Sequence, residues 1–184
     1  MAVGAGATVA TAASEERGVS GAANDLAIAA NINALWIKYD SELVSDLDVT
    51  VSEGRALLTG TVPTQQRRLE AVRLAWRSKG VRAVINEIQV SESGGIAGYA
   101  RDGWITARLV SRLSFDRDVD YINYTVETVN GVVYVMGIAQ SQTELNKVKA
   151  HARHVPYVRR VVSHVRLKNA ARENAGNPVA GIKN

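Results

Sequence analysis

Arg101, Trp104, Arg108 and Arg112 are the residues of this chain whose types and spacing point most directly to chemistry. In residues 101–114, RDGWITARLVSRLS, a rotation of about 100° per residue lines the arginines up beside the tryptophan on one side of a helix. Ile105, Leu109 and Leu113 fall on another side and need a core. A tryptophan among arginines is what an interfacial helix offers to an anionic surface: the ring inserts at headgroup level while the guanidiniums find phosphates.

Two other constellations are weaker. Asp116, Asp118, Asp120 and Glu127 match EF-hand positions 1, 3, 5 and 12, but Tyr121 stands where the loop needs glycine and Glu127 lies in a predicted strand. They read as solvated acidic loop residues. His151 and His154, three apart on a helix, supply two metal ligands without a third, because His164 sits in the last strand, and they read as surface histidines. No nucleophile elbow, phosphate loop or dinucleotide fingerprint is present. The expectation is no enzyme, no metal and no cofactor.

The elements that must position the arginine and tryptophan row come from a chain of 184 residues, 46% hydrophobic and 22% charged, an ordinary folded composition. No apolar run reaches the roughly 18 residues of a spanning helix. There is no cysteine, which excludes disulfides, thiol nucleophiles and cysteine zinc sites. Residues 1–23 are small and poorly patterned, without the basic and apolar regions of a complete signal peptide. They fit either the remainder of a processed leader or a flexible arm.

Sliding the sequence against itself by 77 residues brings two halves into register without a gap. Gly54 falls on Gly131, Gly60 on Gly137, Ile28 on Ile105, Ile32 on Leu109 and Ile88 on Val165. The spacing predicts two copies of one unit, 24–90 and 101–168, joined by a Gly/Ser-bearing linker, 91–100, and followed by a disordered tail, 169–184. Each copy opens on a helix, capped by Asn24 or Asp25 in the first and preceded by Asp102 in the second. Hairpins follow, 47–52 with 56–62 and 124–129 with 132–139, the second turning on Asn130-Gly131. Thr64 and the capping box Ser141 to Glu144 start the second helices. Their apolar faces read as Leu69, Val72 and Trp76, and as Leu145, Val148, Ala152 and Val155. A last strand closes each copy, with Val84, Ile88 and Val90 on one side in the first and Val161, Val165 and Leu167 in the second. The fold class is therefore α+β: two tandem αββαβ units, each a three-stranded mixed sheet packed on two helices.

The order αββαβ, the glycine-bounded strands Ala56-Leu-Leu-Thr-Gly60 and Val132-Val-Tyr-Val-Met-Gly137, and the helix 104–113 resemble the BON domain, named for bacterial OsmY and nodulation proteins. With two copies, the chain is similar to the dual BON-domain lipoproteins of Gram-negative envelopes. The resemblance implies a non-enzymatic periplasmic protein at the inner leaflet of the outer membrane. Its second domain would bind anionic phospholipid, phosphatidylglycerol or cardiolipin, and support outer-membrane integrity. Outer-membrane assembly proteins are candidate partners. Carried onto this sequence, the lipid-binding set is Trp104, Ile105, Arg108, Leu109, Arg112 and Leu113. The family's acylated cysteine has no counterpart here. The alternative is a soluble OsmY-like stress protein or a protein–protein adaptor without lipid binding.

The repeat contains its own control. Trp104 falls on Ala27, Arg101 on Asn24, Arg108 on Asn31 and Arg112 on Leu35, so the first copy keeps the apolar stripe and lacks the row. Charge is equally lopsided: residues 24–90 hold 8 Lys+Arg against 8 Asp+Glu, and residues 101–168 hold 11 against 6. A pI near 9.5 also suits RNA binding. However, Gly94-Gly95 is not a GXXG clamp and the strands lack paired stacking aromatics, so nucleic acid is not an expected partner.

Overall fold

The computed structural model describes residues 18–91 and 96–168. The chain runs α1 (Gly18–Tyr39), α2 (Glu42–Asp46), β1 (Leu47–Ser52), β2 (Arg55–Val62), α3 (Gln65–Trp76), β3 (Ala83–Asn86) and β4 (Gln89–Val90). It continues as α4 (Ile96–Phe115), a 3-10 turn (Tyr121–Asn123), β5 (Tyr124–Val129), β6 (Val132–Ala139), α5 (Gln142–Arg153) and β7 (Arg160–Leu167). The contacts divide it into two compact units between Gly103 and Trp104.

Each unit is built on a hairpin whose turn demands positive φ. Glu53 and Gly54 sit at φ 55 and 74, Asn130 and Gly131 at φ 51 and 72, as a two-residue primed turn requires. The antiparallel registers follow, Leu47 opposite Gly60 and Tyr124 opposite Gly137. The returning strand then lies parallel to the second hairpin strand, β3 on β2 and β7 on β6. Helices cover one face. In the first unit Ile28, Ile32 and Trp36 pack with Ala56, Leu58 and Val62. In the second, Ile105, Leu109 and Leu113 pack with Val133, Val135 and Ala139. The indole of Trp36, wholly buried, donates from Nε1 to the Ala71 carbonyl at 3.1 Å, so its one polar atom is satisfied.

Several expectations change. Both first helices start earlier than the repeat suggests. Residues 18–23 of the expected flexible arm are helical, and so are 96–100 of the expected linker; residues 1–17, 92–95 and 169–184 lie outside the described residues. Asn24 and Asp25 are consequently interior to their helix and not caps, and Asp102 likewise lies inside α4 and does not open it. Asp25 is buried, and its two carboxylate oxygens accept the N–H groups of Glu53 and Gly54, each at 2.9 Å. It thereby clamps the hairpin turn to α1. Asp102, at the equivalent position, is also buried.

The face of α3 was misplaced as well. Leu69 and Trp76 are 58% and 53% exposed, and the buried positions are Ala71, Leu74 and Ala75. Shifted by 77, Ala71 and Ala75 fall on Val148 and Ala152, which are buried as read. The last strand of the first unit breaks at Glu87: the Asn86 side-chain oxygen accepts the Ile88 N–H at 3.2 Å, and β4 resumes pairing with β2. That gives this sheet a fourth short strand and leaves Val90 41% exposed. The caps of the second helices fall where expected: Thr64 Oγ1 accepts from Arg67 N at 3.2 Å, and Ser141 Oγ from Glu144 N at 3.1 Å.

Replacing Asp25 by alanine strips two turn N–H groups of their acceptors in a buried setting. The expected cost is about 2 kcal/mol, most of it the penalty of unsatisfied donors. A denaturant midpoint no lower than that of the wild type would show the clamp to be dispensable.

Candidate functional site

The surface of interest follows from which residues α4 must bury. Ile105, Leu109 and Leu113 have no exposed surface at all. With that stripe committed to the core, rotation by about 100° per residue turns Trp104, Arg108, Ser111 and Phe115 outward along one line. At 1.5 Å rise per residue the line is about 16 Å long. Trp104 is 46% exposed and Phe115 86%. An aromatic ring therefore stands near each end of a polar, basic stretch, the arrangement of a helix lying flat in a headgroup layer.

Tyr157 joins Trp104 from the loop between α5 and β7. The two rings meet edge to face, centroids 5.9 Å apart and planes at 70°. Such pairs prefer this geometry because the positive ring edge faces a negative ring face. Tyr157 is 66% exposed and holds φ at 69. A left-handed backbone costs a non-glycine residue about 1 kcal/mol. Its counterpart 77 residues earlier is Gly80, at φ 95, which meets the same turn without strain. The second unit thus accepts strain in order to display a tyrosine beside Trp104, while the first has Ala27 and Gly80 there. In the first unit these small residues help to line a shallow depression of about 580 Å³.

The expected contact set is corrected in two respects. Ile105, Leu109 and Leu113 cannot reach a ligand in this fold, because the sheet and α5 cover them. Arg112 is half-buried and its Nη1 donates to the His154 carbonyl at 3.2 Å, so part of its role is to satisfy the end of α5. Trp104 and Arg108 remain on the open face. Tyr157 and Phe115 were missed. The offset held a signal for both, since Tyr157 falls on Gly80 and Phe115 on Lys38.

The acidic loop and the histidines are engaged separately. Asp116 Oδ2 lies 2.7 Å from His151 Nε2, and its Oδ1 accepts the Asp118 N–H at 3.0 Å. The histidine bond, and after it the backbone bond, hold the Asp116 carboxyl below its ordinary value of 3.8. Asp118 pairs with Lys147. His154 Nδ1 lies 2.7 Å from the Ala150 carbonyl of its own helix. Among the described residues no His, Cys, Asp and Glu group converges on a metal, and no helix is long and apolar enough to cross a membrane.

Fold and surface together define a tandem α+β repeat whose second copy displays an aromatic and basic face on its first helix, where the first copy has Ala27 and Asn31 in place of Trp104 and Arg108. The chain belongs to the BON-domain family: the BON domain model matches residues 24–92 and 101–183. It is 43% identical over 143 residues to an uncharacterized protein in the gshII 5′ region of Anaplasma centrale, covering 74% of this chain and 95% of that one. It is 29% identical to osmotically-inducible protein Y of Escherichia coli, over 79% of this chain and 73% of that one. To the outer membrane lipoprotein DolP of Haemophilus influenzae it is 28% identical, over 76% of this chain and 74% of that one.

Proposed function

We propose that this is a non-enzymatic envelope protein of the periplasm that associates peripherally with anionic phospholipid, phosphatidylglycerol or cardiolipin, at the inner leaflet of the outer membrane and supports that membrane's integrity. The observation that carries the reading is the exposed Trp104–Tyr157 pair, present in the second BON domain at positions where the first has alanine and glycine. Its relatives include an outer membrane lipoprotein and an osmotically inducible protein, both compatible with an envelope role. Two aromatics and a few basic residues, worth roughly 1 kcal/mol per basic group near the surface, give reversible association.

Co-sedimentation with vesicles tests this. Binding to vesicles of 30% phosphatidylglycerol in phosphatidylcholine is expected to exceed binding to phosphatidylcholine alone, and to fall as salt shortens the screening length from about 10 Å at 0.1 M to about 3 Å at 1 M. Binding indifferent to both lipid charge and salt would rule the mechanism out. A second reading, a soluble adaptor, draws on a different observation: Leu69 and Trp76 stand outward on α3. Under that reading a stable protein partner would depend on those two side chains, and vesicles would not compete for it.

A further inference from the structure

Leu69, Val72 and Trp76 on α3 form an apolar line that the core of the first unit does not use. Ala71, Leu74 and Ala75 are the buried positions, so rotation by about 100° per residue carries Leu69 and Trp76 to the opposite side of the helix, with half-buried Val72 at the edge. The three follow the three-four spacing of a coiled-coil seam, and Arg68 and Arg73 fall on its two flanks, where such seams carry the charges that choose a partner. The fold does not require this line. In the second unit the same positions hold Asn146, Lys149 and Arg153, an ordinary solvent face.

The flanking charge is unbalanced. Arg67 is tied to Asp40, Glu42 and Asp46, and Arg73 to Glu70 at 2.6 Å. Arg68 is half-buried, its Nε is enclosed without a hydrogen-bond partner, and among the described residues no carboxylate pairs with it. Its counterpart, Leu145, belongs to the second core. The first turn of α3 contains no acidic residue, so Arg68 also faces the positive end of the helix dipole. An enclosed donor and an opposed charge both cost stability until an anion meets them.

We propose that α3 docks an acidic amphipathic helix of another protein, whose aliphatic side chains interlock with Leu69, Val72 and Trp76 and whose flanking carboxylate meets Arg68. This assignment rests on the adaptor reading of α3, to which it adds the partner's shape and charge, and it is independent of the lipid contact of α4. Leu69 and Trp76 are seven residues apart, two turns or about 10.5 Å, which a partner helix matches with side chains one heptad apart. A ridged helix surface is filled best by the ridges of another helix. A second copy of this chain is the wrong occupant. Parallel pairing of α3 with itself sets Arg68 against the other copy's Arg73, and antiparallel pairing with Leu69 on Trp76 sets it against the other copy's Arg77. An anionic membrane fits less well than an acidic helix, because Glu70, held beside Arg73, would enter the same negative layer.

The test titrates the full chain into two labelled three-heptad peptides and follows fluorescence anisotropy. Both peptides carry leucine at the seam positions; one has glutamate and the other lysine at the flanking positions. The glutamate peptide is expected to bind saturably and at least tenfold more tightly than the lysine peptide. The double variant L69N/W76Q should lose that binding at least tenfold with an unchanged thermal midpoint. Arg68→Glu should reverse the preference between the peptides, and Trp104→Ala should bind as the wild type does. Absence of saturable binding by the glutamate peptide would overturn the proposal. Equal binding of both peptides, lost in L69N/W76Q, would overturn the charge assignment and leave an adaptor face of other chemistry. If neither peptide bound and L69N/W76Q weakened vesicle binding, α3 would be a membrane face and the adaptor reading would fall as well. A dimer of the chain alone, seen by sedimentation and dissolved by L69N/W76Q, would put a second copy in the seat.

Discussion

Trp104→Ala is expected to weaken binding to phosphatidylglycerol vesicles by tenfold or more while leaving the thermal midpoint within a few degrees of the wild type. The indole is 46% exposed, so a large part of its surface is available to enter the headgroup layer. About 100 Å² of apolar surface at roughly 25 cal/mol per Å² gives about 2.5 kcal/mol, between tenfold and a hundredfold in affinity. The fold loses little, because the core contacts of α4 come from Ile105, Leu109 and Leu113. A fall in midpoint comparable to that of a core truncation would instead make Trp104 a packing residue. Tyr157→Gly separates the two readings more sharply. It removes the exposed ring and relieves the backbone at φ 69, as Gly80 does in the first unit. Lipid affinity should drop severalfold with the midpoint steady, and unchanged affinity would exclude the aromatic pair from the contact.

The largest effect on stability is expected from Gly137→Ala. Gly137 has φ 140 inside β6, a backbone region that residues with a side chain rarely adopt, and a Cβ there would collide with the backbone carbonyl of Asn123. The obstacle is main chain in the 3-10 turn before β5 and cannot move aside as a flexible side chain would. Conformational strain of roughly 1–3 kcal/mol and overpacking of similar size add to about 3–5 kcal/mol, a fall of more than about 10 °C in the midpoint of a domain this small. Gly60, its counterpart, meets the Asp46 carbonyl in the same way at φ 114. Gly103→Ala is the control. A Cβ there touches nothing within 4 Å, so a helix-interior alanine should stabilise by about 0.5–1 kcal/mol. If Gly137→Ala proved as harmless as Gly103→Ala, the close approach of the Asn123 carbonyl to Gly137 would not be a feature of the protein in solution.

The hairpins were legible because their demands are local. Asn130-Gly131 must adopt positive φ whatever surrounds it, and Gly54 falls on Gly131 in the repeat. The face of α3 was not, because periodicity rewards large apolar residues without knowing which side a sheet will cover. Leu69 and Trp76 are the larger side chains, yet the close contact with the sheet takes Ala71 and Ala75. Asp25 shows a subtler error. A carboxylate before an apolar helix pattern reads as an acceptor for free N–H groups, which is what it is, but the donors belong to a turn 28 residues away and not to its own helix.

The amino-acid order alone determined that this chain is one α+β unit written twice, where its hairpins turn, which stripe of each first helix is core, and that only the second copy carries the tryptophan and arginine row. Each of these depends on neighbours within a turn or two of chain, or on comparing one copy with the other. Only the tertiary structure decided that Tyr157 stands against Trp104 and that Arg112 is partly committed to the end of α5. Those side chains come from separate elements, and what joins them is the packing of α4 against α5 and the sheet. No spacing along the chain encodes that distance.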